Sequence, residues 1–93
     1  MVLAESKMLS RASRALVRGN AIVLEEHLTV PAFPNGIRYI RNIDLATIVT
    51  LGPLHRQVPD LFEAYNREAP PAPLPDFLGV LSVMIGKGIL TLA

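Results

Sequence analysis

The stretch Leu74 to Leu92, LPDFLGVLSVMIGKGILTL, constrains this chain more than any other. Read at about 100° per residue, Phe77, Leu78, Leu81, Met84 and Ile85 fall on one arc, the apolar face of an amphipathic helix. A flanking stripe carries Asp76, Val80, Val83 and Lys87, while Gly79, Ser82 and Gly86 leave the remaining face almost without side-chain bulk. A helix that covers a single core would place charges there. The surplus of apolar and small residues predicts a second packing partner, which could be another element, a subunit or a ligand peptide.

The 93 residues make one domain with a single core. A composition 51% hydrophobic and 18% charged places the chain among globular sequences rather than disordered ones. The net charge of +1 supplies no field for gathering nucleic acid. The absence of cysteine excludes disulfides, thiolate zinc sites and cysteine catalysis. The longest apolar run, Phe77 to Gly86, is shorter than the roughly 20 residues a bilayer crossing needs, which predicts a soluble, cytoplasmic protein without a membrane partner. Arg11, Arg14 and Arg18 among Ser6, Ser10 and Ser13 give the start a faint transit-peptide character, but Glu5 and the missing apolar segment argue against a cleaved signal.

Residues 1–18 have helical texture, with Leu9, Ala12 and Leu16 near one side and the three arginines on another; Gly19-Asn20 ends this N-terminal arm. The remaining residues, 19–93, form the domain proper. Ala21 to Glu26 reads as one strand, and Leu28, Val30 and Ala32 alternate with polar residues and proline as a second. The Asn35-Gly36 pair suits a type I′ hairpin turn, with Ile37 to Arg41 as the return strand. Pro31 and Pro34 remove ladder donors from the preceding strand, which is therefore expected to lie partly at an edge or to end early. Asn42 caps a first helix presenting Leu45, Ile48 and Val49, which Gly52-Pro53 stops. A second helix starts at Val58-Pro59-Asp60 and ends by Glu68. After the stiff connector Ala69 to Pro73, the third helix runs from Leu74 and Pro75 to about Gly86, followed by a short extended piece from Ile89 to Leu92. The expected fold is α+β, a small winged-helix-like domain with a three-stranded antiparallel sheet followed by three helices.

No catalytic constellation stands out. His27 and His55 are the only histidines, and the Glu25-Glu26-His27 string alternates between the faces of a strand, so it ligates a metal only with partners from elsewhere. No nucleophile elbow or glycine-rich phosphate loop is present. The chain thus reads as a non-enzyme without catalytic residues, metal or cofactor. A DNA-reading winged helix needs Arg, Lys, Asn or Gln on the outer face of its recognition helix; the third helix offers only Lys87, and Asn66 and Arg67 on the second stand beside Glu63 and Glu68. Peptide recognition fits better. The strand Ile37 to Arg41 supplies an edge for main-chain pairing, and Val80, Val83, Met84 and Lys87 supply a flank, with Arg38 and Arg41 at the rim facing acidic side chains. Burial of Val80 and Val83 by the arm or in a homodimer explains the same residues.

The pattern from Leu16 to Leu92 resembles the PqqD-like precursor-recognition domains of ribosomal peptide natural-product pathways. The resemblance rests on ALVRGNAIVLEE, the hairpin into GIRYIRNIDLATIVTLGP, the VPDLFEAYNRE helix and the closing LPDFLGVLSVMIGKGIL. It implies three strands followed by three helices, and a leader peptide that adds beside the third strand and lies against the third helix. Carried onto this chain, it implies peptide-binding residues Gly36, Ile37, Arg38, Tyr39, Ile40 and Arg41 on the sheet, and Phe77, Val80, Leu81, Val83, Met84 and Lys87 on the helix. It further implies partnership with a modifying enzyme of radical SAM, cyclodehydratase or protease type. The expected function is a non-catalytic adaptor that presents the precursor; a winged-helix DNA-binding regulator and a structural homodimerisation module are the alternatives. On this reading Val80→Asp or Met84→Asp abolishes peptide binding and spares the fold, whereas Leu81→Asp unfolds it.

Overall fold

The computed structural model describes residues 3–92; Met1 and Val2, where the expected N-terminal helix begins, and Ala93 lie outside the described residues. The chain is α+β. Its strands are β1 (Leu3–Glu5), β2 (Ser10–Arg18), β3 (Ala21–Val30), β4 (Phe33–Ile37), β5 (Tyr39–Ile40), β6 (Ile43–Asp44) and β7 (Leu90–Leu92). Between β6 and β7 stand α1 (Leu45–Leu51), a 3₁₀ turn (Gly52–Leu54), α2 (Val58–Glu68) and α3 (Leu74–Gly86). The main sheet is antiparallel with order β2-β3-β4; β1 pairs with β7, and β5 with β6.

The second half follows local signals. Asp44 caps α1, its Oδ1 accepting from the Ala46 and Thr47 amides at 3.0 and 3.4 Å, so the cap falls two residues after Asn42. Proline stands in the first turn of both α2 and α3, where no intrahelical donor is needed. Beyond α3, Gly88 takes φ +79°, the Ile89 amide donates to Met84 O at 2.9 Å and the Gly88 amide to Ile85 O at 3.2 Å. This is a Schellman closure, and Ile89 and Met84, both fully buried, form its hydrophobic contact. The turn directs β7 back against β1.

The first half corrects the expectations. Of the segment expected as a helix over residues 1–18, the described part, residues 3–18, is instead β1, a turn and β2. Helical spacing of Leu9, Ala12 and Leu16 is a weak local preference, and β2 satisfies its backbone by pairing residue for residue with β3 from Ser10↔Thr29 to Arg18↔Ala21. Gly19-Asn20 is the two-residue hairpin loop, with φ +61° at Gly19, so the expected boundary at residue 18 falls at the tip of one continuous ribbon. The two strands expected within 21–32 are the single β3.

The Asn35-Gly36 pair lies inside β4, not in a turn. The chain reverses at Pro31-Ala32, and β4 bulges between the pairs Val30↔Phe33 and Leu28↔Ile37, with Gly36 at φ +89°. Pro34 has no amide to donate, so a regular ladder cannot pass through it. The dihedral signature of a type I′ turn, positive φ at both central residues, occurs at Arg41 (51°) and Asn42 (64°), joining β5 to β6. The expected return strand 37–41 is accordingly split at Arg38.

The core gathers Leu28 and Val30 from β3, Ile43, the inner faces of all three helices, and Ile89 and Leu90. Phe77 sits at its centre, its ring 5.1 Å from Phe62 edge-on and 5.4 Å from Tyr65. Tyr65 is fully buried, and its hydroxyl oxygen accepts from the Asp44 amide at 2.9 Å. That bond links α2 to the start of α1.

Candidate peptide-binding surface

The sheet side of the expected groove is built from the end of β4 and from β5. Among the described residues β4 pairs only with β3 and β5 only with β6, so each keeps one edge without a strand partner. Such an edge offers main-chain donors and acceptors to an extended peptide. Ile37 and Ile40 are half-buried against the core, and Tyr39 is 48% exposed. The Gly36 Cα faces the His27 side chain and the Arg14 guanidinium, where an added Cβ would come within 3.4 Å of His27 Cβ.

The two arginines differ. Arg38, expected at the rim, is half-buried and committed: its Nη2 donates to Asp44 Oδ2 and its Nη1 to Glu26 O, both at 3.0 Å. It ties β3 to the cap of α1. Burial works against its charge, but the hydrogen bond and charge of Asp44 outweigh that and hold the guanidinium above its ordinary range. Arg41 is exposed and reaches across Gly79 toward Asp76 at 3.7 Å, a solvent-screened contact that a competing acid can replace. Arg41 and Asp76 thus bring the β5–β6 turn and the start of α3 together.

The helix side departs from expectation. Phe77, Val80, Leu81 and Met84 all lie in the core, with Val80 only 1% exposed. Val83, 38% exposed, and the exposed Lys87 remain at the surface beside Asp76 and Gly79. The core arc of α3 is therefore centred between Phe77 and Met84 and takes in Val80, while Leu78 and Ile85 leave it. Angular periodicity defines an arc to within one residue row, and the neighbours decide which row is covered. A carboxylate at Val80 or Met84 would stand unpaired in the interior, so both variants are expected to unfold the domain as Leu81→Asp does, corrected from the sequence expectation and measurable as loss of the thermal transition.

Leu78 and Ile85 line a cavity of about 360 Å³ with Val58, Leu61, Leu81 and Leu92, and His55 and Arg56 flank it. The sequence carried a signal for it: Leu78 and Ile85 stand seven residues apart on α3, two turns along one face. A polar cleft of about 300 Å³ lies between Glu26 and Arg38 on one side and Thr47, Thr50 and Glu68 on the other.

His27 is half-buried, with Nε2 3.2 Å from Glu25 Oε1 but without hydrogen-bond alignment. Glu25 and His27 share one face of β3 and Glu26 takes the other, as strand alternation requires. Among the described residues no three His, Cys, Asp or Glu side chains gather as a metal site, and no helix is long and apolar enough to cross a membrane. Comparison with protein-family models, with curated proteins and with solved structures finds no match to this chain.

Proposed function

We propose that this chain is a peptide-binding adaptor of the winged-helix-like, PqqD-like kind. An extended leader segment of a ribosomally made precursor adds to the unpaired edge of β4 and β5, and the precursor is thereby presented to a modifying enzyme. The observation that carries the reading is that the β5–β6 turn, at the end of that edge, meets the start of α3, with Arg41 lying over Gly79 beside Asp76. Main-chain pairing supplies affinity, and the exposed Tyr39 and Arg41 on the sheet side, with the exposed Val83 and Lys87 on α3, read the peptide. Phe77, Val80, Leu81 and Met84 act from beneath, by holding α3 in position. Tethering the precursor raises its effective concentration at the enzyme, a linkage worth about 10²-fold or more where the geometry permits.

The test is an amide NMR titration with the leader segment of a short precursor encoded beside this chain's gene. Shifts confined to Phe33–Arg41 and Asp76–Lys87 support the groove, and Arg41→Glu together with Val83→Asp should then weaken binding without lowering the melting temperature. A folded sample whose spectrum stays unchanged at saturating peptide removes the proposal. Duplex DNA binding that falls steeply with salt would favour the regulator reading instead.

A further inference from the structure

We propose that the projecting half of the β2–β3 ribbon is a self-association surface, through which two copies of this chain pair about a two-fold axis. β4 covers β3 only from Leu28 to Val30, so from Glu25 to the Gly19-Asn20 tip the sheet is two strands wide. Over that length the ribbon extends about 15 Å at the strand rise of roughly 3.3 Å per residue. A lone two-stranded ribbon is marginal in water, and a hydrophobic face on it calls for cover.

Such a face is present. Strand alternation puts Ile22 and Leu24 on the same face of β3 as the buried Leu28, and their partners Val17 and Ala15 bring β2 onto it. Val17, Ile22 and Leu24 are 79, 75 and 72% exposed. The core-facing side of the sheet thus runs on past the helices with nothing over it among the described residues. The opposite face is better covered: Arg18 pairs with Glu25 at 2.8 Å, and Arg14 donates to Asn35 O.

Charge and area favour a second copy as the occupant. The face holds no charged residue from the tip to Glu26 and Arg11, which pair with each other at 3.3 Å, so two copies meet without like-charge repulsion. The exposed aliphatic groups form a patch of roughly 400 Å², within the range of about 300–600 Å² that the largest, often functional, patch of a monomer reaches. Two such faces with their edges bury on the order of 800 to 1,000 Å², which suits a weak, reversible dimer rather than an obligate one. The contact lies beyond β4, away from the peptide-binding edge, and stands or falls independently of that function.

Sedimentation velocity on the full chain across a wide concentration range tests this. The expected result is a mass rising from monomer to dimer in the micromolar range, with Ile22→Lys or Leu24→Lys weakening association about tenfold or more and leaving circular dichroism native. Val83→Lys on α3 should leave the dimer unchanged. A monomer at every concentration overturns the proposal, as does a dimer indifferent to both ribbon variants. A monomer that binds lipid vesicles through Ile22 and Leu24 overturns it in favour of a membrane contact.

Discussion

The two ends of β3 hold similar aliphatic side chains on one face, yet Leu28 is fully buried and Leu24, four residues away, is 72% exposed. Both sit in the same unbroken antiparallel register with β2. The difference lies in what stands opposite. Leu28 has β4 beside it and the helices over it, whereas Leu24 has only the Ala15 pair. Burial is therefore a property of the layer above a strand, and amphipathic alternation only makes a face available for it.

The sharpest test compares Leu28→Ala with Leu24→Ala. Removing Leu28 leaves a cavity in the core and should cost about 2–5 kcal/mol in denaturant unfolding. Next in size is Tyr65→Phe, which takes the acceptor from the Asp44 amide at the anchored end of the molecule and should cost about 1–3 kcal/mol. Burial, with the Asp44 and Tyr39 charges adding to it and outweighing the Asp44 amide bond, raises the Tyr65 pKa above its ordinary value. The unfolded chain then releases this proton first as pH rises, so the stability is fully present below about pH 10 and is lost above it; Tyr65→Phe should flatten that decline in melting temperature. At the free end, Gly19→Ala forces a Cβ into φ +61° with no neighbour within 4 Å, so its cost is conformational alone, about 1–2 kcal/mol. Hydrogen exchange should place that loss at the ribbon tip, with core amides following only the global change. Leu24→Ala is the smallest, within about 0.5 kcal/mol for the monomer. A cost at Leu24 as large as that at Leu28 would mean that the ribbon face is covered in solution.

The helical half was legible because its signals act over a few residues. Proline in a first turn and a closing glycine each mark a helix end through backbone geometry within that turn, and the bounds 58–68 and 74–86 agree with them. The sheet half was less legible because pairing partners are chosen across the chain. Ser10–Arg18 carries no strong strand signature and becomes a strand because Ala21–Val30 is available to pair with it. Asn35-Gly36 carries a strong turn signature and is overruled, since Pro31-Ala32 reverses the chain first and Phe33 pairs with Val30. The same limit applied to the candidate site. The spacing on α3 marked an apolar arc, but whether Val80 or Leu78 faced the interior depended on where the neighbouring elements came to rest.

The sequence by itself determined that three helices follow a strand-rich segment, where the second and third of them start and stop, and that α3 carries more apolar surface than one core needs. These follow from backbone bonds and dihedral preferences confined to neighbouring residues. Only the tertiary structure decided which apolar residues are buried, that Leu3–Glu5 and Ser10–Arg18 become strands, and that Val17, Ile22 and Leu24 stand outside the core. Burial depends on contacts between residues distant in the chain, and those exist only once the layers have packed.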